Sequence, residues 1–303
     1  MNKPGYVKLM QNGQLESRML KLKSMLKECV LCPHQCRVDR TRGQRGYCKT
    51  LDNAVVSGAE AHFGEERELV GTHGSGTVFF SFCNLACVFC QNYQISHFGT
   101  GREATAEELA DMMIGLQARK CHNINLVSPG HVVPQVVEAI FLAAKEGLTI
   151  PIVYNTNGYD LTDTLKLLEG IVDIYMPDIK FADERLAQKY LGVKSYYSIA
   201  KNAVREMHRQ VGDLVTDERG IAYRGLLVRH LVMPGNIAGT GEIMRFIADE
   251  ISKDTYVNIM AQYYPAHRAY EFEELKRGIT AHEFSKAVQA ARAAGLNNIK
   301  AFD

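Results

Sequence analysis

The chain has 303 residues, 46% of them hydrophobic and 23% charged, with a formal net charge of +1. That composition excludes a disordered or fibrous protein and leaves room for one barrel-sized α/β domain plus a small extra module. No run of about 18 apolar residues exists and the first residues lack the apolar core of an export signal, so neither a membrane span nor secretion is expected and the cytoplasm is the predicted compartment.

Eight cysteines in such a chain point to metal binding rather than disulfides. The near-neutral total also hides an asymmetry. Residues 1–50 hold eleven Lys/Arg against three acids, a surplus of eight, so the remainder carries a deficit of seven. A split of this kind marks either a docking surface for nucleic acid or an acidic protein, or a basic face that is solvated or packs on the chain's own acidic body.

In chain order, Leu15, Met19, Leu22 and Leu26 recur at helical spacing, which predicts a helix over 15–28. Cys29, Cys32, Cys36 and Cys48 come next, four soft ligands within twenty residues; Gly43 and Gly46 permit the turns that return Cys48 to the others. Four thiolates close a zinc site or hold an Fe–S cluster, and the spacing leaves the metal open. Residues 53–75 show no clear periodicity and read as a connector packed across the strand at 77–82. From Gly76, strands and helices alternate: strands at 77–82, 123–127, 150–155, 171–176, 226–232 and 256–262, with an edge strand at 298–302. Thr105 with Glu108 forms a capping box ahead of one helix, and Thr280 caps the last. Cys121, at a helix end, reads as a small buried residue rather than a ligand. Strands alternating with helices argue for a parallel sheet, and six units are too few to close an eightfold barrel. The expected fold is therefore α/β: a small metal-binding module at 1–52, the connector at 53–75, and a partial (β/α)6 barrel at 76–303.

The chemistry concentrates in Gly76–Asn92, where an apolar strand runs into Cys83, Cys87 and Cys90, spaced C-x3-C-x2-C. Three thiolates do not complete a structural zinc site, and an open coordination position marks a reactive metal. The rival reading is a zinc loop completed by a distant His or Cys. Beyond it, five strand ends carry polar or turn-forming residues: Ser128-Pro-Gly130-His131, Asn155-Thr156-Asn157-Gly158, Met176-Pro-Asp178-Ile-Lys180, Met233-Pro-Gly235 and Tyr263 to Arg268. In parallel α/β folds ligands bind at these ends.

The cysteine loop, with the aromatic Phe89 before its last cysteine, resembles the cluster loop of radical S-adenosylmethionine (SAM) enzymes. More narrowly, GTVFFSFCNLACVFCQNYQIS resembles the branch around pyruvate formate-lyase activating enzymes, and the CVLCPHQC opening is similar to that of relatives there. The resemblance implies a [4Fe-4S] cluster on Cys83, Cys87 and Cys90, with SAM on the open iron. It implies reductive cleavage of SAM to a 5′-deoxyadenosyl radical and hydrogen abstraction from a substrate, a glycyl-radical protein in that branch. It also implies a flavodoxin- or ferredoxin-type reductant and a low-oxygen cell. The SAM contacts it implies are Phe89, Ser128, Gly130, Asn155, Thr156, Met176, Asp178, Lys180 and His267, with Lys180 suited to the SAM carboxylate. Two positions depart from the pattern: Pro129-Gly130-His131 stands where relatives have Gly-Gly-Glu, and Asn155 replaces an aspartate beside a cation site. Radical modification of RNA or a peptide, gripped by the basic module, is the second enzymatic reading. A non-catalytic Fe–S or zinc protein is the third.

Overall fold

The computed structural model describes residues 3–302. Ten strands form one sheet: β1 (Ala54–His62), β2 (Ser75–Phe80), β3 (Arg102–Ala104), β4 (Ile124–Val127), β5 (Ile152–Thr156), β6 (Ile174–Pro177), β7 (Val215–Thr216), β8 (Ala222–Leu231), β9 (Tyr256–Met260) and β10 (Ile299–Phe302). Their order is β3-β1-β2-β4-β5-β6-β8-β9-β10, with β7 paired to β8 alone. Along the path β2-β4-β5-β6-β8-β9-β10 every pairing is parallel, while β7 pairs antiparallel to β8. That is the winding of a (β/α) barrel, and with β3 and β10 at the two ends of the order the barrel is partial.

The connector differs from its expectation. Its residues 54–62 form β1, which runs antiparallel to β2 over His62–Val56 and extends the sheet. Alternation is weak because both faces are partly covered, so the period-2 signal is blurred. After β1, the short helix Arg67–Val70 crosses under the barrel. Leu69 plugs it, packing with Val153, Ile174, Met176 and Leu227 from the inward positions of three strands. β8 begins four residues before the expected Leu226, since Asp217 caps the preceding turn through the N–H groups of Arg219 and Ile221 and sends the chain back as a hairpin. The segment between β8 and β9 is an α-helix from Thr240 to Phe246 and a wider π turn from Ile247 to Ile251.

Outer helices cover the sheet where the periodicity placed them. The Thr105 and Thr280 capping boxes are both formed, and Asp183 caps the helix Glu184–Leu191. The N-terminal helix Gln14–Ser24 lays Leu15, Met19 and Leu22 into the same apolar cluster as Val136 and Ile140 of the helix Val133–Lys145. Cys121 is buried.

Asp173 pins the chain's start to the barrel, accepting from Gly5 N and Ile152 N, each at 2.9 Å. Burial outweighs those donors and pushes its carboxyl up to about 7. A raised folded-state pKa means the folded protein holds the proton more tightly. The contribution to stability is full below the unfolded value near ~4 and is lost as pH climbs to 7. Urea unfolding should therefore show Asp173→Asn gaining on the wild type between pH 4 and 7, by up to about 4 kcal/mol. A pH-independent difference between the two would contradict this reading.

Candidate active site

β2 ends in Phe80, and the chain then turns sharply. Phe82 adopts φ +66°, a strained conformation for a bulky residue, directly before Cys83. The cysteine loop is tied to the barrel wall: the N–H groups of Ala86 and Val88 donate to the carbonyls of Leu191 and Tyr190. Cys83, Cys87 and Cys90 all line one cleft of about 760 Å³, open mouth included, at the carboxyl ends of the strands. Asn157 donates from Nδ2 to Cys83 Sγ at 3.2 Å and to Asn84 Oδ1 at 2.7 Å, and Cys90 Sγ lies 3.1 Å from Ser96 Oγ. Burial pushes the Cys83 thiol up to about 11 and raises Cys87 further. Thiols so desolvated give up their protons to a metal, whose charge takes the protons' place.

The same cleft is lined by Ser128, Asn155, Thr156, Asp178 and Lys180, five of the expected cofactor contacts. Ser128 sits at φ +58°, its N–H bonded to the carbonyl of Asn155. Thr156 Oγ1 donates to buried Asp160 at 2.5 Å. Lys180 does not pair with Asp183; its Nζ lies 2.6 Å from Asp178 Oδ2, and both side chains are largely buried. Burial alone would push the Asp178 carboxyl up, but Lys180 and Arg229 beside it hold it below its ordinary value. For Lys180, burial lowers while Asp178 and Cys87 raise, and the net direction is up, so the ammonium stays charged. An ammonium has three N–H donors and Asp178 takes one, which leaves donors for an anion in the cleft.

Four expected contacts lie elsewhere. Phe89 turns its ring out of the cleft into an apolar cluster against Phe181 and Tyr263, where burial holds it. Met176 belongs to the apolar plug below. Gly130 is buried behind the wall, where a Cβ would stand 2.8 Å from Asp160 Oδ1. His267 sits at the rim, 4.5 Å from the His97 ring and 5.1 Å from that of Tyr93. His131, one residue on from Gly130, is fully buried against Ser81 O.

Sequence reasoning missed Arg229, which organises the polar floor. Its guanidinium reaches Asp178 Oδ1 at 3.2 Å, Glu65 Oε2 at 2.9 Å and Asn155 Oδ1 at 3.0 Å. Glu65 in turn accepts from Asn125. The one available signal was a charged residue within the otherwise apolar strand Leu226–Val232. Asn155 thus presents its oxygen to an arginine. His97 and Asn157 also line the cleft; Asn157 stood only as part of a strand end, since Asn-Thr-Asn-Gly reads as a turn.

The four N-terminal cysteines also meet, around a cavity of about 330 Å³, open space included, shared with Arg40 and Tyr47. Among the described residues no three His, Cys, Asp or Glu side chains close on a point that would hold a single ion.

Residues 77–221 match the radical SAM superfamily. An uncharacterised protein of Methanocaldococcus jannaschii is 32% identical over 285 residues, covering 91% of this chain and 78% of that protein. The chain belongs to the radical SAM superfamily. Its fold is similar to that of SuiB from Streptococcus suis, solved with S-adenosylmethionine bound: TM-score 0.50 at 12% identity, over 73% of this chain and 48% of SuiB. Methylornithine synthase gives a TM-score of 0.45 at 18% identity, over 73% of this chain and 68% of the synthase. Radical SAM membership brings a [4Fe-4S] cluster and SAM, and the cleft fits both. Three thiols and a charged lysine line it together, a donor set suited to an iron–sulfur cluster and to a carboxylate. No helix of the described residues is long and apolar enough to cross a membrane.

Proposed function

We propose that Cys83, Cys87 and Cys90 hold the cluster, and that Ser128, Asn155, Thr156, Asp178 and Lys180 hold SAM. The observation that carries this reading is the presence of all eight in one cleft. Bound there, the cluster and SAM supply a 5′-deoxyadenosyl radical, the superfamily's reactive species. The chain's own work is to bind, orient and exclude water. Lys180 offers an ammonium to the SAM carboxylate, and Asp178, itself held by Arg229, fixes that ammonium in place. Asn157 tunes Cys83 through its N–H···S bond. Cys29, Cys32, Cys36 and Cys48 make residues 1–52 a second metal-binding unit on the barrel.

The substrate we favour is a glycyl-radical protein, supported by the likeness of the cluster loop to activating enzymes, with a flavodoxin- or ferredoxin-type reductant. Anaerobic, reduced protein with SAM should release 5′-deoxyadenosine slowly even without substrate, measured by chromatography. The glycyl-radical protein should then show a glycyl signal in electron paramagnetic resonance. Deoxyadenosine with no such signal on any candidate protein would turn the reading toward RNA or peptide. The basic surplus of residues 1–50 favours RNA there, and salt-sensitive RNA binding is its mark. No deoxyadenosine under any reductant would leave a non-catalytic metal protein.

A further inference from the structure

The chain between Cys29 and Cys48 carries a feature that an apolar or purely structural role does not account for. Arg40 is 1% exposed. Its guanidinium donates to Leu51 O at 2.9 and 2.6 Å and to His131 O at 2.8 Å, and Nη1 stands 4.0 Å from Cys29 Sγ. Among the described residues it has no carboxylate partner. A buried guanidinium cannot shed its charge and is strongly disfavoured without a countercharge. The groups in its cavity able to become anionic are the four cysteines. As neutral thiols they leave Arg40 unpaired. As metal-bound thiolates their charge exceeds that of the metal, and the excess faces Arg40.

The surroundings also bear on which metal. Zinc draws four thiolates to about 2.3 Å from a single point, and among the described residues no three Cys, His, Asp or Glu side chains close on such a point. The N–H of Tyr47 donates to Cys36 Sγ at 3.3 Å, the kind of hydrogen bond that adjusts the potential of an iron–sulfur cluster.

The module is joined to the catalytic loop by a continuous set of contacts. The His34 and Tyr47 rings stack with centroids 3.7 Å apart. His34 Nε2 lies 2.9 Å from Asn84 O, and Asn84 is the residue after Cys83. The path from Cys36 through Tyr47 and His34 to the Cys83 loop therefore has no gap wider than a hydrogen bond or a ring stack.

We propose that Cys29, Cys32, Cys36 and Cys48 hold a second iron–sulfur cluster, with Arg40 as its buried countercharge, and that the Tyr47–His34 stack makes it the point of electron entry to the Cys83 site. One electron leaves a ferredoxin- or flavodoxin-class donor, which is oxidised by one, and passes through this cluster to the first. No bond forms or breaks and no proton moves. The proposal rests on the Cys83 site holding its own cluster, and the experiment tests the two separately.

The full-length protein, reconstituted anaerobically with iron and sulfide, is assayed for iron and zinc. Wild type should carry twice the iron of C83A/C87A/C90A and twice that of C32S/C48S. Iron lost only in C83A/C87A/C90A, with zinc at one per chain in the others, would overturn the proposal and leave the Cys83 reading intact. Iron retained in C83A/C87A/C90A but lost in C32S/C48S would fail the Cys83 reading alone. If C32S/C48S does not fold, Tyr47→Ala and His34→Ala, neither of them fully buried, serve instead. Each should keep full iron and full reduction by dithionite. Each should slow reduction by photoreduced flavodoxin, followed as loss of visible absorption, by tenfold or more. Unchanged flavodoxin rates in both variants would overturn the electron-entry assignment.

Discussion

Replacing Cys83, Cys87 and Cys90 together by alanine should remove one cluster's iron, about four per chain for a cubane, and abolish 5′-deoxyadenosine release. Both effects follow from the same geometry. The three sulfurs line the cleft on a loop fastened to Tyr190 and Leu191 by backbone hydrogen bonds, so the loop persists when the thiols are gone. Folding should survive, because Phe89, Leu85 and Val88, not the thiols, carry the loop's burial. The measurement is iron and sulfide analysis with circular dichroism on the same sample. Undiminished iron in a folded triple variant would remove the central assignment. Collapse of the fold would instead show that the loop depends on its thiols, contrary to the packing described.

Lys180→Ala should raise the Kd for SAM by about 10- to 100-fold, the worth of a charge-assisted hydrogen bond to a carboxylate, while iron content stays at wild-type level. The asymmetry with its partner is informative. Removing Lys180 leaves Asp178 still bonded to Arg229 at 3.2 Å, so no charge is orphaned. Removing Asp178 strands the largely buried Lys180 ammonium, at a penalty of about 3–5 kcal/mol, while Arg229 keeps Glu65. Asp178→Ala should therefore be far less stable than Lys180→Ala, though both weaken SAM binding. Calorimetric titration of SAM and denaturant unfolding on the two variants check this. Equal SAM affinity in wild type and Lys180→Ala would return Lys180 to a structural role in the Asp178 pair.

The sequence by itself determined what is local. Cysteine spacing picked out the two cysteine groups that the fold brings together, because residues on one loop are read at short range. Helices declared themselves by 3.6-residue periodicity and by caps such as Thr105 with Glu108. The strand series declared itself by apolar runs that end in polar residues, and most strand ends stood within two residues of the expected place. Hence the barrel, the cluster loop, and Ser128, Asn155, Thr156, Asp178 and Lys180 around the cleft were all legible. Tertiary structure decided whatever depends on groups distant in the chain. Arg229 meets Glu65 across 164 residues, and no periodicity encodes that pairing. Phe89 sits in the motif, yet its ring follows the larger burial available against Phe181 and Tyr263. β1 joins the sheet because β2 offers it an edge, not because its own pattern demands a strand. The Cys29–Cys48 module lies against the Cys83 loop, through His34 and Asn84, only because the helix Gln14–Ser24 packs on the outside of the barrel. That packing comes from buried apolar area, which is indifferent to sequence order.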